Sequence, residues 1–137
     1  MPPVFSDAWA RAWGEAINRS EAYREAAATW EGPIAAVATG FDGRPPMAVY
    51  LDVWHGQCRA ARSATEADLA GAEFILEAGP TVWRALFEGR LAPMMGLLTG
   101  KVRVSRGELA KLLPFSNAAK ELIRLASGVE TEFPDCW

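Results

Sequence analysis

The residues able to do chemistry in this 137-residue chain are few and scattered. Its one histidine, His55, stands directly before Gly56, where a hairpin reversal would leave the imidazole in solvent. A lone histidine cannot form a two-histidine metal pattern, and no carboxylate or cysteine stands at ligand spacing beside it. No G-x-S-x-G elbow supplies an activated serine. The run Gly96-Leu97-Leu98-Thr99-Gly100-Lys101 has the letters of a phosphate loop without its spacing. Its glycines are one residue too close, and Val102 stands where a Ser or Thr would hold magnesium. Glu73 and Glu77 share one face of a strand pattern, where their ordinary task is solubility. Cys58 falls within another strand pattern and reads as a small core residue rather than a nucleophile. The expectation is a protein that is not an enzyme, with no catalytic residue, no cofactor and no metal.

What the chain does have is grease. Between Trp83 and Val104 lie Phe87, Leu91, Met94, Met95, Leu97 and Leu98, punctuated by turn glycines. Six tryptophans in the whole chain is a high count, and tandem methionines suit a wall that adapts to variable apolar shapes. Such a segment either fills a core or lines a site for an apolar ligand, which needs roughly 300–1,000 Å³ with few polar groups. Composition alone leaves both open. The net charge of −3 gives no footprint for nucleic acid and no polybasic attraction to lipid headgroups. The apolar run Leu91 to Leu98 falls far short of the ~20 residues of a transmembrane helix. Met1 to Asp7 lacks the basic start and apolar run of a secretory signal. Two cysteines, Cys58 and Cys136, stand apart from any C-x-x-C pair, and reduced thiols in the cytoplasm are expected.

The elements that must position this segment follow from periodicity. Ser6 or Asp7 caps a first helix with Trp9, Trp13, Ala16 and Ile17 on one face. Ser20 caps a second, carrying Tyr23, Ala27 and Trp30. From Ile34 the period becomes two. Ile34 to Thr39 is a strand, Asp42-Gly43 a turn, and Met47 to Trp54 a strand burying Met47, Val49, Leu51 and Val53. His55-Gly56 turns into a strand over Gln57 to Ala61. After a polar stretch around Thr65 and Asp68, a further hairpin-like strand points Phe74 and Leu76 inward. Pro80 opens a helix with Val82, Trp83, Leu86 and Phe87 on one side, stopped by Gly89, and Pro93 opens another through Leu98. Lys101 to Ser105 is a half-buried strand. Leu109, Leu112 and Leu113 form a helical turn, and Ser116 caps a last helix with Ala118, Leu122, Leu125 and Ala126 inward. Glu130 to Trp137 shows no periodicity. The fold class is α+β, a mostly antiparallel sheet of about five strands with helices packed on one face. One domain spans 1–137, with two N-terminal helices over 6–29, sheet and helices over 33–127, and a tail over 128–137.

Ordered motifs then add a resemblance. Ala72-Glu73-Phe74-Ile75-Leu76, Trp83, Gly89, Leu91, Pro93 and Leu98-Thr99-Gly100-Lys101-Val102 follow one another as in the sterol carrier protein type-two (sterol-binding domain) family. Trp30-Glu31-Gly32, the Asp42-Gly43 turn, and Tyr50-Leu51-Asp52 followed by Gly56 fit the same pattern, so the chain resembles a bacterial stand-alone member over residues 30–127. The resemblance implies a sheet whose helices enclose an apolar tunnel for a fatty acid, acyl-CoA or sterol-like molecule. It places Trp83, Leu86, Phe87, Met94, Met95 and Leu98 near that tunnel, with Val102 and Val104 on the strand behind. Phe74, Leu113, Leu122 and Leu125 complete the expected lining. The family's acid before proline is Ala92 here, which removes a helix cap worth ~1 kcal/mol.

The expected function is therefore non-catalytic lipid binding or carriage, and a charged residue at Met95 should abolish it. The alternative is an interaction or dimerisation module of the same fold, with an apolar surface buried against a protein partner such as a second copy. Exposed Trp9, Trp54 or Trp137 would then form its patch.

Overall fold

The computed structural model describes residues 1–137 except Asp42, so the Asp42-Gly43 turn lies partly outside the described residues. The sheet is built from β1 (Ile34–Ala38), β2 (Met47–Trp54), β3 (Gln57–Ser63), β4 (Phe74–Ala78) and β5 (Arg103–Arg106). Their order is β3-β2-β1-β4-β5, giving five strands with three antiparallel pairs and one parallel pair, β1 with β4. Register places Val49, Ala36, Leu76 and Val104 in one row across the sheet, and Leu51, Ile34 and Phe74 in the next. These rows form the inner face, as the two-residue period of each strand requires.

The β2–β3 connection matches the expected hairpin. His55 and Gly56 both take positive φ, 50° and 79°, the twist that suits a two-residue reversal. The β3–β4 connection differs from the expected one. Instead of a further hairpin, α3 (Glu66–Gly71) carries the chain across, so β4 lies parallel to β1. A parallel neighbour needs such a crossover. The helix is started by a capping box. The Asp68 N–H donates to Thr65 Oγ1 at 3.1 Å, and the Thr65 N–H donates back to Asp68 Oδ2 at 3.1 Å.

The remaining helices gather over the inner face. α1 (Asp7–Asn18) starts at Ser6, whose hydroxyl accepts from the Trp9 N–H at 3.2 Å, and buries Trp9, Trp13 and Ile17. It rides close on β3 because Gly14 has no side chain, and a Cβ there would fall 2.5 Å from Ala61 Cβ. α2 (Glu21–Ala26) is shorter than expected. Trp30 lies beyond it in a turn, fixed by its indole N–H donating to the Gly32 carbonyl at 2.8 Å. α4 (Pro80–Phe87) and α5 (Pro93–Leu98) begin on prolines as expected, and Gly89 ends the first at φ 77°. α6 (Leu109–Leu112) passes through a 3-10 turn, Leu113–Phe115, into α7 (Ser116–Ser127). Ser116 is thus the first residue of α7 rather than its cap.

The tail is ordered into the core although its sequence has no period. The Val4 N–H donates to the Glu132 carbonyl at 2.9 Å, and the Glu132 N–H to the Pro2 carbonyl at 3.0 Å. Trp137 is 5% exposed and lies 5.2 Å from the Phe5 ring. Trp9 is fully buried, so of the three tryptophans expected in a docking patch only Trp54, at 38%, reaches solvent. No described helix is long and apolar enough to cross a membrane.

Candidate functional site

Between the inner face and the helices lies an apolar cavity of about 90 Å³. Its floor is the sheet, where Ile34, Leu51 and Leu76 surround Ala36. A methyl group at the centre of the sheet leaves space that a larger side chain would fill. Trp13, Tyr23 and Trp30 wall one side. Trp83 and Leu86 of α4, with Pro93, Met94 and Leu97 of α5, wall another, and Ala118, Ala119 and Leu122 of α7 help to close it.

The aromatic walls are held by hydrogen bonds to the backbone. The Trp83 indole N–H donates to the Val37 carbonyl at 2.9 Å, which ties α4 to β1. The Trp13 indole N–H donates to the Leu122 carbonyl at 2.9 Å, which ties α1 to α7. Buried indoles that find acceptors in this way keep their rings at fixed positions. Burial pushes the Tyr23 phenol well above its ordinary value, so it remains neutral at any physiological pH. No Asp, Glu, Lys or Arg side chain is part of the lining. The space therefore suits a chain of carbon and hydrogen and offers nothing to a charged group.

Outside α4 and α5 lies a wider groove of about 620 Å³. Leu86, Pro93, Met94 and Ile123 line both spaces, so they form the partition between them. The partition is weakly braced. α5 has six residues, and its N-cap is Ala92, which makes no side-chain cap bond. The groove's outer rim is polar, with Glu88, Ser116, Asn117, Lys120 and Arg124.

Of the residues expected to line a tunnel, Trp83, Leu86, Met94, Val102 and Leu122 stand around the cavity. Phe74 lies behind it, 1% exposed and 5.2 Å from the Trp30 ring. Phe87 faces the outer groove and packs within 5.8 Å of Trp83. Val104 and Leu125 are half-buried but do not line the cavity. Met95, Leu98 and Leu113 point outward, at 53%, 62% and 45% exposure. In a helix, successive side chains turn by about 100°, so Met94 facing the cavity sends Met95 to solvent. Of the two methionines only Met94 lines the cavity, so the expectation for a charge at Met95 does not fit its outward position. Trp13, Tyr23, Trp30, Ala36 and Ala118 were not among the expected lining residues; each comes from an element remote in sequence from the Trp83–Val104 segment.

The polar candidates sit elsewhere. His55 Nε2 meets Glu31 Oε2 at 2.6 Å on the exposed hairpin. Cys58 is buried, and burial pushes its thiol up to about 11, far from a reactive thiolate. Among the described residues, no group of three or more His, Cys, Asp or Glu side chains could hold a metal.

Comparison with known proteins covers the cavity's elements. The sequence profile of the SCP-2 sterol transfer family matches residues 14–120. A crystal structure of sterol carrier protein 2 is 40% identical, with a TM-score of 0.84 over 93% of this chain and 99% of that one. The solution structure of a conserved hypothetical protein from Thermus thermophilus, described there as possibly a sterol carrier protein, is 39% identical. Its TM-score is 0.84, over 94% of this chain and 91% of that one. Sterol carrier protein 2 from Yarrowia lipolytica, in its apo form, is 16% identical with a TM-score of 0.60, over 86% of this chain and 88% of that one. It shares the fold. Among curated proteins no sequence matches this chain. The chain belongs to the SCP-2 sterol transfer family.

Proposed function

We propose that this protein binds and carries a lipid-like molecule, fatty-acyl or sterol-like, whose apolar part enters the cavity between sheet and helices. The observation that carries this reading is a charge-free cavity at the centre of a sterol-carrier fold. Trp83, Leu86, Met94, Val102 and Leu122 are the proposed contacts. At about 90 Å³ the cavity holds the volume of roughly three waters, well short of a drug-sized ligand site. Binding therefore involves moving the partition, so that cavity and groove merge into one space. The short, uncapped α5 and the pliable Met94 favour that movement. The free thiols of Cys58 and Cys136 support a reducing, cytoplasmic setting.

Titration with a fluorescent fatty acid, competed by unlabelled fatty acid, acyl-CoA and sterol, tests the proposal. Saturable one-to-one binding is expected. Absence of saturable binding across all three classes would refute it.

A further inference from the structure

We infer that the outer groove is a headgroup site, in which Lys120 selects amphiphiles with an anionic end, carboxylate or phosphate. This rests on the proposed lipid binding and adds the chemistry of the other half of the ligand. The groove is continuous with the cavity through four shared residues, Leu86, Pro93, Met94 and Ile123. A molecule threading that partition with its polar end outward meets a groove whose polar lining includes Glu88, Ser116, Asn117, Lys120 and Arg124.

The charges there are unbalanced. Glu88 accepts from Arg90 at 2.6 Å and from Arg84 at 3.0 Å, so its carboxylate is already satisfied by two cations. Those two guanidiniums hold the Glu88 carboxyl below its ordinary value, with the Arg90 bond the larger cause. Arg124 is matched by Glu121 at 2.6 Å. Lys120 has no ion-pair partner among the described residues. Among the groove's lining residues two are cations, Lys120 and Arg124, against one carboxylate, Glu88, on a protein whose net charge is −3. A positive mouth over a charge-free interior complements an anion attached to a hydrocarbon chain. It does not complement a neutral alcohol or a cationic amine. Ser116 and Asn117 add a hydroxyl and a carboxamide that can donate to the same oxygens.

The test compares ligands that differ only in their heads. Dodecanoate, dodecyl phosphate and dodecanol are titrated against the full chain, read by tryptophan emission, since Trp13, Trp30 and Trp83 line the cavity. At least one anion should bind about fivefold tighter than dodecanol, the upper range for a partly exposed charge pair, and added salt should shrink the difference. Whether the carboxylate or the phosphate gains more identifies the head. The anion-to-alcohol ratio should fall towards one in Lys120→Met and below one in Lys120→Glu. It should persist in Lys101→Met, which removes an exposed lysine outside the groove. Equal binding of all three ligands by the native chain, or a ratio unchanged in both Lys120 variants, overturns the headgroup site and leaves the cavity proposal standing. Failure of all three to bind overturns the headgroup site, and it overturns the cavity proposal as well only when acyl-CoA and sterol also fail to bind.

Discussion

Ala118 and Ala126 are both buried on α7, at 5% and 1% exposure, yet only Ala118 borders the cavity. Enlarging each to leucine should have opposite consequences. Leu adds three carbons, and a void of about 90 Å³ has room to receive most of them beside Ala118. Removal of a cavity recovers about 24 cal/mol per Å³, so complete filling would contribute about 2 kcal/mol. Imperfect fit against Leu122 and Trp83 reduces that to about 1 kcal/mol. For a chain of this size the corresponding rise in Tm is about 3–5 °C. Helix propensity barely changes, because Ala and Leu are both good helix formers. Ala126 is buried and does not line the cavity, and the same substitution there should cost about 1–3 kcal/mol through overpacking. Lipid affinity should fall about tenfold in Ala118→Leu, because the added carbons occupy the ligand's space. Urea unfolding followed by tryptophan fluorescence gives the stabilities, and fatty-acid titration gives the affinities. The signature is a variant that is more stable and binds less. Equal destabilisation by both substitutions, or undiminished lipid binding by Ala118→Leu, would refute the existence of a functional void.

Other expectations follow from particular contacts. Met94→Asp should reduce lipid affinity at least tenfold, while Met95→Asp, at a side chain 53% exposed, should leave it within about twofold in the same titration. Gly107→Ala should cost more than about 2 kcal/mol in urea unfolding, because φ is +93° and the new Cβ would lie 2.3 Å from Phe74 Cδ1. Trp83→Phe should cost about 1–3 kcal/mol by removing the indole bond to the Val37 carbonyl and part of the ring's packing. The Arg62 guanidinium, bonded at 2.7 and 3.0 Å, holds the Asp68 carboxyl down from 3.8 to about 2. A depressed folded value means stability that is present above pH about 4 and lost as pH falls through about 2. With Arg62 43% exposed, about 1 kcal/mol is involved, and Asp68→Asn should be less stable at neutral pH and flatter across that window.

Much of the sheet was legible because each strand carries its own evidence. Met47 to Trp54 alternates strictly, and the strand has those bounds. The crossover was not, although its start signal was present. Thr65 and Asp68 make a capping box, but the helix they begin has six residues, too few to show a period. Without that helix, β4 had to be read as a hairpin strand, and its parallel pairing with β1 was hidden. The cavity was half legible for a related reason. Trp83, Leu86 and Met94 lie in one continuous segment, whereas Trp13, Ala36 and Ala118 reach the same space from α1, β1 and α7 through pairings that no local pattern encodes. The resemblance placed Met95 and Leu98 inside along with Met94, and the six residues of α5 were too few for periodicity to correct its rotation. Trp137 gave no periodic signal because the tail is held by two backbone bonds to Pro2 and Val4 and by aromatic contact with Phe5.

The central claim is that an apolar molecule occupies the space between Ala36 on the sheet and Ala118 on α7. Native mass spectrometry of the purified chain with oleate tests it most directly. The account predicts one adduct of oleate mass per chain, strongly reduced in Met94→Asp and in Ala118→Leu. A bare chain mass at saturating oleate, or an adduct equally abundant in both variants, would contradict it.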